Sequence, residues 1–255
     1  MPLLEICVDS LDSALAADSG GADRLELCSG LPEGGLTPSL ALIRAVRSQV
    51  KANVHVMIRP RGGDFLYSDG ELAIMREDIR MAGEAGADGV VFGALTEAGT
   101  VDGERTRELV ELARPMRVTF HRAFDLTRNL TEALDVLISL GIEHVLTSGG
   151  EPTAVAGKEK IRKLVHLADQ RIQVMVGGGV RADNVAELAE TGAREFHSAV
   201  RRSLASRMQY RAPSMHLGAP AIDEYVRHVV HADDVRLLKR SLDDLDPAAT
   251  RQELP

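Results

Sequence analysis

Gly21-Ala22-Asp23-Arg24-Leu25-Glu26-Leu27-Cys28 sets a helix stop directly ahead of an alternating apolar and polar run. Glycine takes the left-handed backbone that ends a helix, and an alternating run of this kind reads as a strand. The arrangement returns at Gly86-Ala87-Asp88, Gly141-Ile142-Glu143 and Gly192-Ala193-Arg194, each time just before a strand-like run. Strands are predicted over 3–8, 24–28, 53–58, 88–93, 117–121, 144–148, 172–177 and 194–198, so the motif precedes the second, fourth, sixth and eighth. Stretches of helical length separate them, at 10–20, 38–48, 71–86, 104–114, 131–141, 153–169 and 181–192. Strict alternation argues a parallel sheet, and eight βα units in about 200 residues argue a closed (β/α)8 TIM barrel of the α/β class. An open doubly wound sheet would carry its glycine-rich fingerprint after the first strand. Here Gly177-Gly178-Gly179 follows the seventh.

Beyond residue 200 the alternation stops. Pro213, Gly218 and Pro220 mark a loop, 225–230 reads as extended, and 233–245 reads as a helix with acids in its first turn. The barrel is therefore assigned to 1–200 and an appendage packed on it to 201–245, with 246–255 a disordered tail. The apolar stripe of the last helix predicts that this appendage takes part in self-association, as a dimer or tetramer.

The 255 residues are 44% hydrophobic and 27% charged, which suits a globular chain with its own core and excludes a disordered or fibrous one. A net charge of -8, no basic stripe, 3% aromatics and no Trp argue against a nucleic-acid partner. No apolar run is long enough to span a membrane. Met1-Pro2-Leu3-Leu4-Glu5 lacks the basic start of a signal peptide, and two cysteines make no disulfide framework. A cytoplasmic protein is expected.

Strand side chains alternate between faces. With Leu4, Ile6 and Val8 packed outward on helices, Glu5 and Cys7 point into the barrel. The same rule turns Glu26, Cys28, His55, Met57, Arg59, Thr119, His121, Gln173, Met175, Glu195 and His197 inward, and leaves strands four and six open. A structural barrel core is filled by Val, Ile and Leu. An interior this polar costs stability unless its groups are paired or wet, and it points to a functional cavity. Active sites in this fold sit at the C-terminal strand ends, where Cys28, Arg59, His121, Ser148, Gly177 and Ser198 fall.

Arg59 and Arg61, beside Gly62 and Gly63, suit a carboxylate or phosphate. The alternative is that Arg59 pairs with Glu26 or Glu5 inside the barrel. The 177–179 glycines, with Ser198, occupy the place where this fold often holds phosphate, and Ser148 is a further anion-binding candidate at a strand end. Glu26, His121 and Asp125 are candidates to move protons. Cys7 and Cys28 lie on neighbouring inward-facing strands. As thiolates they suit Cu(I), with Met57 a third soft donor, or they are inert buried thiols. Glu5, Glu26 and the histidines offer an oxygen and nitrogen alternative that spacing alone does not specify.

Longer motifs carry a resemblance. Leu4-Glu5-Ile6-Cys7, the 21–28 segment, Glu33-Gly34-Gly35-Leu36-Thr37-Pro38-Ser39, Ile58-Arg59-Pro60-Arg61-Gly62-Gly63-Asp64-Phe65, Val118-Thr119-Phe120-His121-Arg122-Ala123-Phe124-Asp125 and Leu146-Thr147-Ser148-Gly149 resemble the CutC family. Met208-Gln209-Tyr210-Arg211 and Asp223-Glu224-Tyr225 fit as well, so the resemblance runs over about 1–245. It implies a cytosolic, often oligomeric TIM barrel with a role in copper homeostasis, and matches Cys7 and Cys28 to the cysteines proposed to bind Cu(I). No settled enzymatic activity comes with it. The residues alone keep a second reading open, an enzyme acting on a small anionic or phosphorylated metabolite at the barrel mouth.

Overall fold

The computed structural model describes residues 1–212 and 223–245. Strands β1 (Leu3–Val8), β2 (Arg24–Leu27), β3 (Asn53–Met57), β4 (Gly89–Phe92), β5 (Arg117–Phe120), β6 (His144–Thr147), β7 (Gln173–Val176) and β8 (Glu195–Ser198) pair in chain order, all parallel. β8 pairs with β1, Glu5 opposite His197, so the sheet closes into the expected TIM barrel. Helices α1 (Leu11–Ser19), α2 (Leu40–Arg47), α3 (Asp69–Glu84), α4 (Gly103–Ala113), α5 (Leu130–Ser139), α6 (Lys158–Ala168) and α7 (Val185–Ala189) fill the crossovers.

The recurring glycines are left-handed, with φ of 93° at Gly21, 83° at Gly86, 68° at Gly141 and 87° at Gly192. Only glycine adopts that conformation without a Cβ penalty. The acid two residues later has its own task. Asp23 accepts from the Leu4 N–H, Asp88 from Val54 and Glu143 from Val118. Each carboxylate ties the strand it opens to the start of the strand before. The fourth repeat has Arg194 at that position, which has no carboxylate to make the tie.

Leu4, Ile6, Val8, Leu25, Leu27, Val54 and Val56 are buried against the helices, each contributing about 1.5–3 kcal/mol. Val90, Phe92 and Val145 join this layer, which settles the two strands the alternation left open. Gly89, Val91, His144 and Leu146 therefore face inward. Gly89 is needed there, because a Cβ would stand 2.5 Å from the His55 Nε2.

After β8 comes an antiparallel hairpin of β9 (Arg201–Ala205) and β10 (Val226–Val230), then α8 (Ala232–Asp243). Helix α8 packs on both α7 and α1 and buries Val235, Leu238 and Leu242. Gly20 lets it approach, since a Cβ there would lie 2.6 Å from the Val235 Cβ. The segment expected as one appendage thus divides. The hairpin is the insertion, and α8 takes the eighth helix's place in the ring. Pro213, Gly218, Pro220 and the 246–255 tail lie outside the described residues. No helix among the described residues is long and apolar enough to cross a membrane.

Candidate functional site

The inward-facing side chains form two tiers. In the lower one, buried Arg24 donates from Nε to Glu5 and from Nη2 to Glu195 at 2.7 Å and to the Met175 sulfur at 3.0 Å. The His144 Nδ1 lies 3.0 Å from the same Glu195 carboxylate, and the His197 Nδ1 lies 2.7 Å from Glu5 Oε1. Burial works against the charge on Glu5. Arg24, and then His197, outweigh it and hold the carboxyl well below the usual range. Burial also lowers the pKa of His197, but the charge of Glu26 and the hydrogen bond to Glu5 lift it above its ordinary value. His55 stays neutral, its pKa pushed down to about 3 by burial and by the Arg24 charge. Arg24 and His144 were not among the residues expected inside. The period-two rule that turns Glu26 and Cys28 inward also turns Arg24 inward, so that signal was present.

The upper tier opens on a cavity of about 210 Å³ at the C-terminal strand ends, lined by Cys7, Glu26, Met57, Arg59, His121 and His197 among others. Cys7 and Cys28 are free, buried thiols with their sulfurs 3.9 Å apart, and Met57 packs against them. The Cys28 sulfur lies 3.5 Å from Glu26 Oε2. The contact with Cys28 favours the Cys7 thiolate, yet burial and the Glu26 charge raise its pKa above the ordinary value. Cys28 is pushed up further, by its bond to Cys7 and then by burial. Burial also raises the pKa of Glu26, against the pull of His197.

Cys7, Glu26 and His197 each offer a ligand atom within 4.8 Å of the others. The Glu26 Oε1 is buried with no hydrogen-bond partner among the described residues. Two metal–sulfur bonds of about 2.3 Å span the gap between the cysteines without backbone movement. The donor set therefore fits a soft metal ion, with sulfur as its dominant ligand type.

Arg59 pairs with neither Glu26 nor Glu5. Its Nη1 donates to the carbonyls of Glu33 at 2.6 Å and Gly35 at 3.0 Å, and its Nη2 to Gly63 at 2.8 Å. The guanidinium lies over Phe65, 4.9 Å from the ring centre. The His121 Nδ1 accepts from the Ala123 N–H at 3.2 Å, which places the ring proton on Nε2. Burial and the Arg59 charge bring the His121 pKa down to about 3, so the ring is neutral. Gly93 makes room for it, since a Cβ there would stand 2.7 Å from Nδ1.

Other expected site residues do not line this cavity. Arg61 spends its donors on its own loop and the helix beyond, pairing with Glu71 at 2.5 Å, Asp64 at 3.0 Å and the Leu66 carbonyl at 2.8 Å. Asp125 accepts from the Thr147 hydroxyl at 2.5 Å, the Gly150 N–H at 2.9 Å and the Arg122 Nε at 2.8 Å. It clamps the end of β5 to the end of β6, with both oxygens accepting hydrogen bonds. The Ser148 hydroxyl is enclosed by the Asp125 carboxylate at 3.0 Å and the Glu151 carbonyl at 2.5 Å. The Gly177 N–H donates to the Thr147 carbonyl, Gly178 and Gly179 are left-handed at φ of 99° and 87°, none of the three lines the cavity, and α7 begins only at Val185. Ser198 donates to the Val180 carbonyl at 2.6 Å. The expected phosphate seat is therefore not assembled around the cavity. Arg59, Glu26 and His121 are the expected anion or proton residues that reach it.

A family model described as the CutC family matches residues 2–202. The chain belongs to the CutC family. A human relative named copper homeostasis protein cutC homolog is 49% identical over 238 residues, covering 92% of this chain and 87% of its own. A CutC family protein of Chromobacterium violaceum is 46% identical, over 94% of this chain and 98% of its own. The crystal structure of a CutC protein from Streptococcus agalactiae is similar with a TM-score of 0.74 and 36% identity, over 77% of this chain and 98% of that one. Thiamine phosphate pyrophosphorylase from Pyrococcus furiosus reaches 0.60 at 16% identity, over 95% of this chain and 96% of that one, a likeness of fold alone. The CutC match spans β1 to β8, so both cysteines, Arg59 and His121 fall inside it.

Proposed function

We propose that this protein serves copper homeostasis by holding Cu(I) between Cys7 and Cys28 at the barrel mouth. The observation that carries this is the pair of free, buried sulfurs 3.9 Å apart, with Met57 against them. Human and mouse relatives are named for copper homeostasis. Cu(I) prefers soft donors, and the thiolate is the binding form. Both thiols are held protonated, so copper must displace their protons. Glu26 and His197 stand next to the sulfurs as proton acceptors or additional donors. Arg201 also favours the Cys7 thiolate by its charge.

The test is a Cu(I) titration of the reduced full-length chain against a colorimetric chelator, without oxygen. One ion per chain is expected, with affinity rising as pH rises because protons leave on binding. Cys7→Ser/Cys28→Ser should weaken binding at least about 100-fold, each lost metal–thiolate bond contributing several kcal/mol. Unchanged affinity in that double variant would refute the shared site.

A further inference from the structure

We propose that the mouth cavity is also a binding site for a small carboxylate monoanion, gripped by Arg59 and the Nε2–H of His121. This inference does not rest on the copper reading. Arg59 is 5% exposed and donates to three carbonyls, with no carboxylate pairing with it among the described residues. A buried cation without a counter-charge is costly, and an anionic guest removes that cost.

The open donors fit such a guest. Of the five guanidinium N–H bonds, carbonyls take three, leaving Nε–H and one on Nη2. The Arg59 Nε and the His121 Nε2 are both buried without a hydrogen-bond partner among the described residues. The Tyr67 hydroxyl is near enough to interact with Arg59, but as a neutral phenol, its pKa raised to about 12 by burial, it brings no counter-charge. A guanidinium edge and one imidazole N–H match the planar oxygens of a carboxylate.

Charge and size narrow the class. Of the three arginines on the cavity, Arg122 is paired with Asp125 and Arg201 turns its charge on Cys7, which leaves Arg59 as the cation for the guest, and the Glu26 carboxyl on the same cavity disfavours a phosphate dianion. A cavity of about 210 Å³ holds roughly seven waters at about 30 Å³ each, so the guest has few heavy atoms. Leu31, Met57, Phe65 and Leu146 give it an apolar wall for a short carbon chain. Leu31 and Arg201 also line a wider cleft of about 770 Å³ beside the hairpin, which supplies an approach.

Isothermal titration of the metal-free, reduced full-length chain with lactate tests this, with lactamide and inorganic phosphate as comparators. Saturable binding of one lactate per chain is expected, with both comparators at least about tenfold weaker. Arg59→Gln should weaken lactate binding by at least about tenfold. His121→Asn, whose amide oxygen can keep the Ala123 contact, should weaken it by about fivefold. In the wild type, lactate should also shift the His121 Nε2 resonance in nitrogen NMR, a readout that survives if Arg59→Gln fails to fold. No saturable lactate binding, equal binding of lactamide, tighter binding of phosphate, or a His121 resonance that does not move would each overturn the proposal. Because no metal is present, none of these outcomes bears on the copper test.

Discussion

Glu5 in β1 and Glu26 in β2 are carboxylates on adjacent strands, 0% and 3% exposed inside the same barrel. Glu5 stands in the register of Arg24, and Glu26 one pleat further along, opposite Cys7. Around Glu5 the lower tier pairs its charges, with Arg24 and His197 on its two oxygens, Glu195 beside Arg24, and His144 next to Glu195 with its Nε2 unpartnered among the described residues. Around Glu26 the upper tier keeps a cavity, an unpartnered oxygen, an unpartnered imidazole N–H and a guanidinium with no carboxylate. The same residue types thus build a closely paired floor and a more open mouth one pleat apart. A polar barrel interior is therefore not by itself a sign of function. Unanswered groups that border a cavity, as Glu26, Arg59 and His121 do, are the sign.

The largest contrast is expected between those two carboxylates. Glu5→Gln breaks a buried ion pair and leaves Arg24 short of charge, and should cost about 3–5 kcal/mol in urea denaturation. Glu26→Gln removes a carboxyl that is already poorly answered, and should change stability by less than about 1 kcal/mol. Equal losses would mean that the mouth is as closed as the floor.

Acid should act on His121 next. Its folded pKa of about 3 lies below the ordinary 6.5, so its stabilising contribution is complete above 6.5 and is lost as pH falls towards 3. Between neutral pH and about pH 4, the wild type should lose roughly 3 kcal/mol more than His121→Asn. His197 in the tier boundary has the opposite sign, its raised pKa giving stability below 6.5 that is lost as pH rises through the folded value. Parallel pH profiles for wild type and His121→Asn would show that the ring is not held neutral.

The smallest contrast concerns two glycines of one strand and its end. Gly89→Ala drives a Cβ to 2.5 Å from His55 in the packed floor, and should cost about 2–3 kcal/mol. Gly93→Ala approaches His121 at 2.7 Å, but that ring borders a cavity and can yield, so about 1 kcal/mol is expected. Thermal denaturation of the two variants side by side decides whether the mouth is the more adaptable tier.

Much of this molecule is legible in local pattern. The helix-stop glycines, the period-two runs and their alternation set the eight strands, and the facing of all but the fourth and sixth, because backbone sterics and burial act within a few residues. The inward placement of Cys7, Glu26, Cys28, Arg59 and His121 followed from the same rule. The partners did not. Arg59 bonds to carbonyls of the 33–35 and 63 loops and not to an acid, and Asp125 proves a clamp with its oxygens filled. Arg201, at the start of a strand the sequence reading did not foresee, turns its charge on Cys7. Glu5 and His197 stand 192 residues apart and meet because β8 closes on β1. For every strand but the fourth and sixth, sequence by itself determined which face enters the barrel, since a strand's two faces are set by its own neighbours. Tertiary structure alone decided which of them are satisfied there, because hydrogen bonds and desolvation depend on atoms brought from every strand at once.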